Sequence, residues 1–247
     1  MIHTTSARYV IYYGWLIADA AGRPGPEAAA IAAARPEMLI GFYDTFEPKY
    51  PNFSPQVRDL LHGAQVALVA YIDTNYGNRP LAAVEAEVCD YVARGIDGIF
   101  FDQVYNFLDD RYTPYYRRLY DLVRNSGKTV IVNTGVAQSG EAIMDVTDIL
   151  MVEHDWRMLD ELCPWHGRYP SRRFMGNSSN EPGTNRYFSY CVDYETAVRD
   201  TCEAWASGIG WHYSTDQYTT LPTWFLDYMR RVSSSAGDSK SLARLAR

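Results

Sequence analysis

The chain has 247 residues, of which 47% are hydrophobic, and it carries a formal net charge of -7 with a pI near 5.2. This length suits a single domain with a full-sized core, because α/β barrels often reach it as one unit. The acidic balance argues against nucleic acid and anionic membranes as partners, since both attract basic surfaces.

Eight short runs rich in β-branched, aliphatic or aromatic residues predict strands along the chain. In order they cover residues 8–13, 38–43, 65–72, 99–101, 129–132, 149–152, 173–176 and 209–213. Helical patterns alternate with these strands, and they begin near Pro26, Ser54, Leu81, Thr113, Asp193 and Pro222. Residues 233–247 are small, polar and charged, which is typical of a flexible tail.

The stretch around the fourth strand is the most informative part of the sequence. A helix ends at Gly95, a turn follows at Asp97-Gly98, and the apolar run Ile99-Phe100-Phe101 leads to Asp102. A run this short and continuously apolar predicts a strand buried on both faces, as in a parallel sheet. Asp102 then stands beyond the carboxyl end of the strand, where α/β folds collect ligands, although it would equally suit a helix cap.

The unbroken alternation of strands with helices predicts a single (β/α)8 TIM-like barrel of the α/β class, not an open sheet. The barrel should occupy residues 1–232, with no second domain. We expect its core to bury one residue from each of six strands, namely Val10, Ile40, Val69, Phe100, Ile131 and Leu150.

Active sites of such barrels lie at the carboxyl ends of the strands. In this sequence those ends hold Asp44, Asp73, Asp102, Asn133, Glu153, Asn177 and Asp216, with Trp15 and His212 nearby. Aromatic residues stand among them, namely Tyr13, Tyr43, Tyr71, Trp156 and Trp211. Carboxylates supply acid, base or nucleophile for glycosidic cleavage, and aromatic faces stack on sugar rings, so the pattern predicts a sugar site.

Other uses of these residues stay open. Asp44, Asp73 and Asn177 suit caps or turns as well as they suit ligand contacts. The five histidines lack His-x-x-x-His and His-Glu-x-x-His spacing, so we expect no metal and no cofactor, although carboxylates alone would allow magnesium. The absence of a glycine-rich phosphate loop and of a Gly-x-Ser-x-Gly elbow argues against nucleotide binding and serine hydrolase chemistry.

The cysteines and the first residues bear on the compartment. Cys89, Cys163, Cys191 and Cys202 show no Cys-x-x-Cys spacing, which predicts reduced thiols. Residues 1–6 lack the basic region and apolar run of a secretory signal, and no apolar stretch approaches the roughly 18 residues of a membrane span. We therefore expect a cytoplasmic protein without a membrane partner, or a secreted one if a leader has been removed.

Two motifs resemble those of the spherulation-specific family 4 (spherulin-4) proteins. They are VAYIDTNYGNRP at 69–80 and GIDGIFFD at 95–102. The family carries a Gly-Tyr-Val-x-Thr-x-Tyr-Gly run followed by Val-Asp-Gly-Ile-Phe-Phe-Asp-Glu. Weaker similarities occur at residues 133–135, at Glu153 and at residues 221–224, so the resemblance covers roughly residues 8–230 and is densest between 66 and 104.

The resemblance implies a TIM-like barrel related to galactosaminogalactan hydrolases and endo-α-1,4-polygalactosaminidases. In those enzymes an acidic residue on the fourth strand and a glutamate on a later strand carry glycosidic cleavage, and they correspond to Asp102 and Glu153 here. The chain is thus expected to be a glycoside hydrolase-like enzyme that binds a small sugar or oligosaccharide-like ligand. The expected substrate contacts are Trp15, Tyr43, Asp44, Tyr71, Asp73, Gln103, Asn133, Trp156, Trp211, His212 and Asp216.

Two departures from the family pattern affect the substrate and the activity. The family's Asp-Glu pair reads Asp102-Gln103 here, so one carboxylate has become an amide that cannot titrate, and Asp73 stands where the family often has His. One alternative is a repurposed intracellular barrel, a hydrolase, lyase or isomerase acting on a small metabolite. The other is a non-catalytic carbohydrate-binding barrel. The amide of Gln103 favours binding, whereas the presence of both Asp102 and Glu153 favours catalysis.

Overall fold

A computed structural model describes residues 6–41, 54–135, 138–179 and 192–235. Eight parallel strands form a closed barrel in chain order, each paired with the next and the last with the first. They are β1 (Ala7–Tyr12), β2 (Met38–Gly41), β3 (Ala67–Asp73), β4 (Gly98–Asp102), β5 (Thr129–Asn133), β6 (Ile149–Met151), β7 (Phe174–Ser178) and β8 (Trp211–Ser214). The predicted (β/α)8 barrel is confirmed.

Helices connect most of these strands on the outside of the barrel. They are α1 (Pro26–Ala34), α2 (Pro55–Gly63), α3 (Leu81–Ala93), α4 (Thr113–Asn125), the single turn α5 (Leu159–Leu162), α6 (Tyr194–Ala206) and α7 (Phe225–Ser235). Two predicted caps are present: the Ser54 hydroxyl accepts a hydrogen bond from Val57 N at 3.1 Å, and Asp193 Oδ1 accepts one from Thr196 N at 2.8 Å. Within the described residues, no helix is both long and apolar enough to cross a bilayer.

The core occupies both faces of the strands, inside the barrel and beneath the helices. The six strand residues predicted to be buried are all 2% exposed or less: Val10, Ile40, Val69, Phe100, Ile131 and Leu150. Strands buried on both faces account for the continuously apolar runs in the sequence, because neither face meets water.

The connections on either side of β6 differ from the predicted alternation. A short 3-10 turn (Glu141–Asp145) takes the place of a helix between β5 and β6. Between β6 and β7 the chain forms 3-10 turns and the single turn of α5. The segment that runs from Trp156 contains Pro164, Gly167 and Pro170, and proline and glycine interrupt helices. The strands β5, β6 and β7 are therefore joined by irregular segments and short turns instead of full helices.

Two boundaries also differ from the predicted ones. The last helix begins at Phe225, because Pro222 belongs to a turn in which its carbonyl accepts a hydrogen bond from Phe225 N at 2.9 Å. The second strand is described up to Gly41. The last helix ends at Ser235, so residues 233–235 of the predicted tail are helical instead. The predicted remainder of the second strand and the rest of the predicted tail lie outside the described residues.

Candidate active site

Three side chains meet at the carboxyl end of the barrel. Asn133 Nδ2 donates a hydrogen bond to Asp102 Oδ1 at 2.8 Å and a second to Glu153 Oε1 at 2.5 Å. The two carboxyl groups therefore share one amide donor, and their nearest oxygens lie no farther apart than the sum of those distances.

Neighbouring strands bring these residues together. β4, β5 and β6 are adjacent, and Asn133 lies opposite Met151 in the register of β5 and β6. Because side chains alternate along a strand, Asp102 and Asn133 point into the barrel, as do the residues two positions earlier in each strand. Glu153 follows Met151 by two residues and points to the same side, which completes the group.

A wall of tyrosines continues from Asp102 around the inside of the rim. The Tyr71 hydroxyl donates a hydrogen bond to Asp102 Oδ2 at 2.5 Å. The Tyr71 ring lies 6.1 Å from the ring of Tyr13, which in turn lies 5.5 Å from the ring of Tyr218. Asn177 Nδ2 donates a hydrogen bond to the Tyr218 hydroxyl. Tyrosine offers an apolar face and a polar tip, and a sugar ring with its hydroxyl groups needs both.

The protonation of Asp102 is set by its surroundings. Burial raises the pKa of its carboxyl group, and hydrogen bonds from Tyr71 and Asn133 oppose that rise without cancelling it. Burial, followed by the charge of Asp102, raises the pKa of Tyr71 far above its ordinary value. Tyr71 therefore stays protonated and keeps donating to the carboxyl group.

The backbone around the site adopts left-handed conformations at four residues other than glycine. The φ angles are 46° at Asn75, 54° at Tyr76, 51° at Gln103 and 44° at Glu153. Such conformations cost roughly 1–2 kcal/mol per residue and concentrate at functional sites. At Glu153 the left-handed turn follows directly after β6 and sets the direction in which the carboxyl group leaves the strand.

Asp73 and Gln103 lie beside the site and differ in their contacts. Asp73 pairs with Asp102 in the register of β3 and β4, but its Oδ1 accepts a hydrogen bond from Asn75 N at 2.5 Å. That contact is a turn interaction, one of the two roles expected for Asp73. Gln103 is partly exposed, and its carbonyl accepts a hydrogen bond from Tyr76 N at 2.6 Å.

The structure corrects the rim placement expected for Trp211. This residue is the first of β8 and pairs with Ala7, so it lies at the amino end of the barrel. Its indole Nε1 donates a hydrogen bond to the Arg172 carbonyl at 2.9 Å, and the Arg172 guanidinium lies 4.3 Å from its ring. Trp211 therefore packs against chain at the end of the barrel opposite Asp102.

Trp156 and His212 are both buried. Trp156 is 1% exposed and packs so closely on Gly176 that a Cβ there would lie 2.7 Å from the Trp156 Cβ. His212 is 1% exposed, and its Nδ1 lies 3.0 Å from the Thr201 hydroxyl of α6. Both rings belong to the layer between the barrel wall and α6, so the sugar contacts expected of them are corrected as well.

The remaining predicted contacts have varied positions. Trp15 lies beyond the carboxyl end of β1 and is 51% exposed. Asp216 follows β8, and its Oδ1 is buried without a hydrogen-bond partner among the described residues. Tyr43 and Asp44 lie outside the described residues, so their predicted roles stay predictions.

Asn177 was expected at a strand end, with a cap and a ligand contact both open, and it lies beside the site. Tyr218 was not selected from the sequence. Tyr218 belongs to the loop after β8, where no periodic pattern signals which side chains return to the barrel. Only the three-dimensional structure brings its ring beside Tyr13.

A sequence profile described as "Spherulation-specific family 4" matches residues 40–233. A search of curated proteins finds no match.

Solved structures similar to this chain include Aspergillus clavatus Sph3 in complex with GalNAc, with a TM-score of 0.68 and 16% identity, covering 94% of this chain and 100% of that one. Alpha-L-fucosidase isoenzyme 2 from Paenibacillus thiaminolyticus has a TM-score of 0.60 and 11% identity, covering 96% and 50%. A chitinase from Chromobacterium violaceum has a TM-score of 0.58 and 13% identity, covering 92% and 98%. At these identities the likeness shows a shared barrel fold.

Proposed function

The chain belongs to spherulation-specific family 4, and from this premise we propose that it is a glycoside hydrolase that cleaves an amino-sugar glycosidic bond with Asp102 and Glu153. Its barrel resembles those of glycoside hydrolases. One observation gives the proposal its main support. A single amide, Asn133, donates to both carboxyl groups and so holds them at one place on the rim.

The spacing of the pair supports a retaining mechanism. The nearest oxygens of Asp102 and Glu153 are closer than the sum of two hydrogen-bond lengths of 2.8 and 2.5 Å. Carboxyl groups of retaining enzymes are about 5–5.5 Å apart, whereas inverting enzymes separate them by about 6.5–9.5 Å to admit water. The bound on the nearest oxygens agrees with the retaining separation, and the anomer of the released product decides between the two routes.

Asp102 suits the role of the nucleophile. Side chains donate hydrogen bonds to both of its oxygens, Tyr71 to one and Asn133 to the other, and an ionised carboxylate satisfies both donors. In the first step a bond would form between an Asp102 carboxylate oxygen and the anomeric carbon while the glycosidic bond breaks.

Glu153 suits the role of the general acid in the first step and of the general base in the second. It is partly exposed at the rim, so its proton can exchange with solvent between the two steps. It would protonate the leaving oxygen in the first step, and in the second it would take a proton from the water that releases the sugar. Gln103 has no proton to share and contributes at most hydrogen bonds to substrate.

The sugar is proposed from the family and from its structural relative. The structure of Sph3 is a complex with GalNAc, and that protein spans 94% of this chain in the superposition. The tyrosine wall of Tyr13, Tyr71 and Tyr218 offers ring faces and hydroxyl groups beside the carboxyl pair. An α-1,4-linked galactosamine or N-acetylgalactosamine oligosaccharide is therefore the first substrate to try.

The experiment compares wild type, Asp102→Asn and Glu153→Gln on such oligosaccharides and on a panel of small metabolites. Each substitution should lower the rate of oligosaccharide cleavage roughly 10²–10⁴-fold, the usual range for a positioned acid or base. With an aryl glycoside whose leaving group needs no proton, Glu153→Gln should lose much less than Asp102→Asn. Glu37→Gln, which removes a carboxylate paired with Arg172 away from the site, serves as the control and should keep full activity.

Full activity of Asp102→Asn would overturn the proposal. Turnover confined to a small metabolite would favour the repurposed enzyme, and oligosaccharide binding without cleavage would favour the carbohydrate-binding barrel. Thermal melting of each variant shows whether lost activity is lost folding.

A further inference from the structure

Three large hydrophobic side chains are exposed within the described part of the chain. Trp15 is 51% exposed, Tyr76 46% and Phe107 49%. They follow β1, β3 and β4 respectively, so all three lie in loops at the carboxyl end of the barrel. Large apolar side chains gathered at one end of a molecule mark a binding surface more often than isolated ones do.

Tyr76 differs from the other two because its backbone is strained. Asn75, Tyr76 and Gly77 have consecutive φ angles of 46°, 54° and 76°. Glycine adopts this region freely and asparagine tolerates it, but the Cβ of a tyrosine strains the backbone there. Burial of the ring offsets little of this strain, since Tyr76 is 46% exposed to solvent.

The strained loop is fastened to the strand that carries Asp102. Tyr76 N donates a hydrogen bond to the Gln103 carbonyl at 2.6 Å, and Thr74 N donates one to the Asp102 carbonyl at 3.0 Å. The Thr74 hydroxyl donates to the Gln103 carbonyl at 2.8 Å. These contacts fix the base of the Tyr76 ring relative to Asp102, so the ring is held where it is by the same strand end that bears the carboxyl group.

A position that is strained, exposed and anchored beside a catalytic strand gains no stability from an aromatic side chain. We propose that Tyr76 is a specificity-determining residue whose ring stacks on a sugar unit next to the one held at Asp102 and Glu153. The inference rests on the proposed function and extends it, because it assigns a second sugar position outside the carboxyl pair.

The carboxyl pair and Tyr76 differ in burial, so we expect them to contact different sugar units. The carboxyl group of Asp102 accepts a hydrogen bond from the Tyr71 hydroxyl and is largely buried, whereas Tyr76 is 46% exposed in the loop after β3. A single sugar at the carboxyl pair would leave the Tyr76 ring uncovered. A chain of two or more units would cover it.

The test uses Tyr76→Asn and Tyr76→Phe in the full chain. Asparagine accepts the left-handed backbone and removes the ring, whereas phenylalanine keeps the stacking face. With an α-1,4-linked N-acetylgalactosamine oligosaccharide, Tyr76→Asn should raise KM about tenfold, equivalent to a stacking contribution near the upper part of the aromatic range, with kcat little changed. Tyr76→Phe should have the same KM as wild type. Binding of free N-acetylgalactosamine should be equally strong in wild type and both variants.

Gln65→Asn is the matched control. Gln65 is another exposed left-handed residue, with a φ of 65°, but it precedes β3 at the amino end of the barrel. The Gln65→Asn substitution should leave the KM for the oligosaccharide unchanged. If wild type cleaves the oligosaccharide and Tyr76→Asn has an unchanged KM, or if Tyr76→Phe behaves like Tyr76→Asn, the stacking role is refuted while the proposed function stands. Wild type that cleaves no oligosaccharide refutes the proposed function itself.

Discussion

Asp102 combines two properties that oppose each other in the folded protein. Two side-chain donors, Tyr71 and Asn133, favour its ionised form, while burial raises its pKa more than they lower it. The folded state therefore binds the Asp102 proton more tightly than the unfolded state does. Since Asp102 is needed as an ionised group for the proposed chemistry, its presence costs stability at neutral pH.

Asp102→Asn should accordingly raise the melting temperature at neutral pH. For a carboxyl group whose folded pKa is raised, stability is lost as pH rises from the ordinary aspartate value of about 3.9 through the folded value, and it stays lost above it. The neutral amide has no such loss. It can also accept from Asn133 with its oxygen and donate to the Tyr71 hydroxyl with its nitrogen.

Melting curves of wild type and Asp102→Asn between pH 3 and 8, a range set by that aspartate value of about 3.9, would check this. The difference between the two should vanish at the acidic end and grow as pH rises. Asp59→Asn, at an exposed carboxylate on α2, provides the comparison and should show no such trend. A difference that grows towards acid would contradict the account.

The sequence predicted best those site residues that stand at the ends of strands. Asp102, Asn133 and Glu153 each follow an apolar run, and the register of three adjacent strands brings them together. Trp211 shows where this reasoning fails. Its run is apolar too, but β8 begins at Trp211, and sequence does not tell the first residue of a short strand from its last.

At the level of strands and helices, β4 controls the position of Asp102 through its close fit between β3 and β5. A Cβ at Gly98 would lie 2.9 Å from the Thr129 carbonyl oxygen and 3.2 Å from Val69 Cγ2. The contact with Thr129 is to backbone, which cannot rotate away. β4 therefore has to shift along or away from β5 to accept any side chain at this position.

Gly98→Ala should thus destabilise the protein by about 1–3 kcal/mol, as overpacking of a core does. It should also lower activity by displacing the strand that ends at Asp102. Chemical denaturation measures the first effect and oligosaccharide cleavage the second. Gly63→Ala, at the end of α2 where a Cβ meets nothing within 4 Å, is the matched substitution and should neither destabilise the protein nor lower activity. Equal stability of the two variants would show that β4 is not tightly held.

The elements that sequence predicted poorly are those without a repeating pattern. The strands and the helices α1 to α4 follow apolar periodicity and capping residues, so their positions were recoverable within a few residues. The connections around β6 have no such periodicity, and they form 3-10 turns. Trp156 belongs to this region, which is why its burial against Gly176 was not foreseen.

For the whole molecule, the barrel follows from one property of the sequence. Eight apolar runs separated by helical or irregular segments leave no exposed strand face, and a closed parallel sheet satisfies that requirement. The same closure gathers the strand ends from distant parts of the chain into one rim. The Asp102–Asn133–Glu153 group is therefore a product of topology, and its chemistry depends on how closely the barrel holds the two carboxyl groups.

The most direct test of the account is the anomeric configuration of the first product released from an α-1,4-linked galactosamine or N-acetylgalactosamine oligosaccharide. Time-resolved proton NMR distinguishes the two anomers before they interconvert. The short separation imposed by Asn133 predicts that the α-configuration is retained, through a covalent intermediate on Asp102. Release of the β-anomer would require a water between the carboxyl groups and would contradict the proposed mechanism.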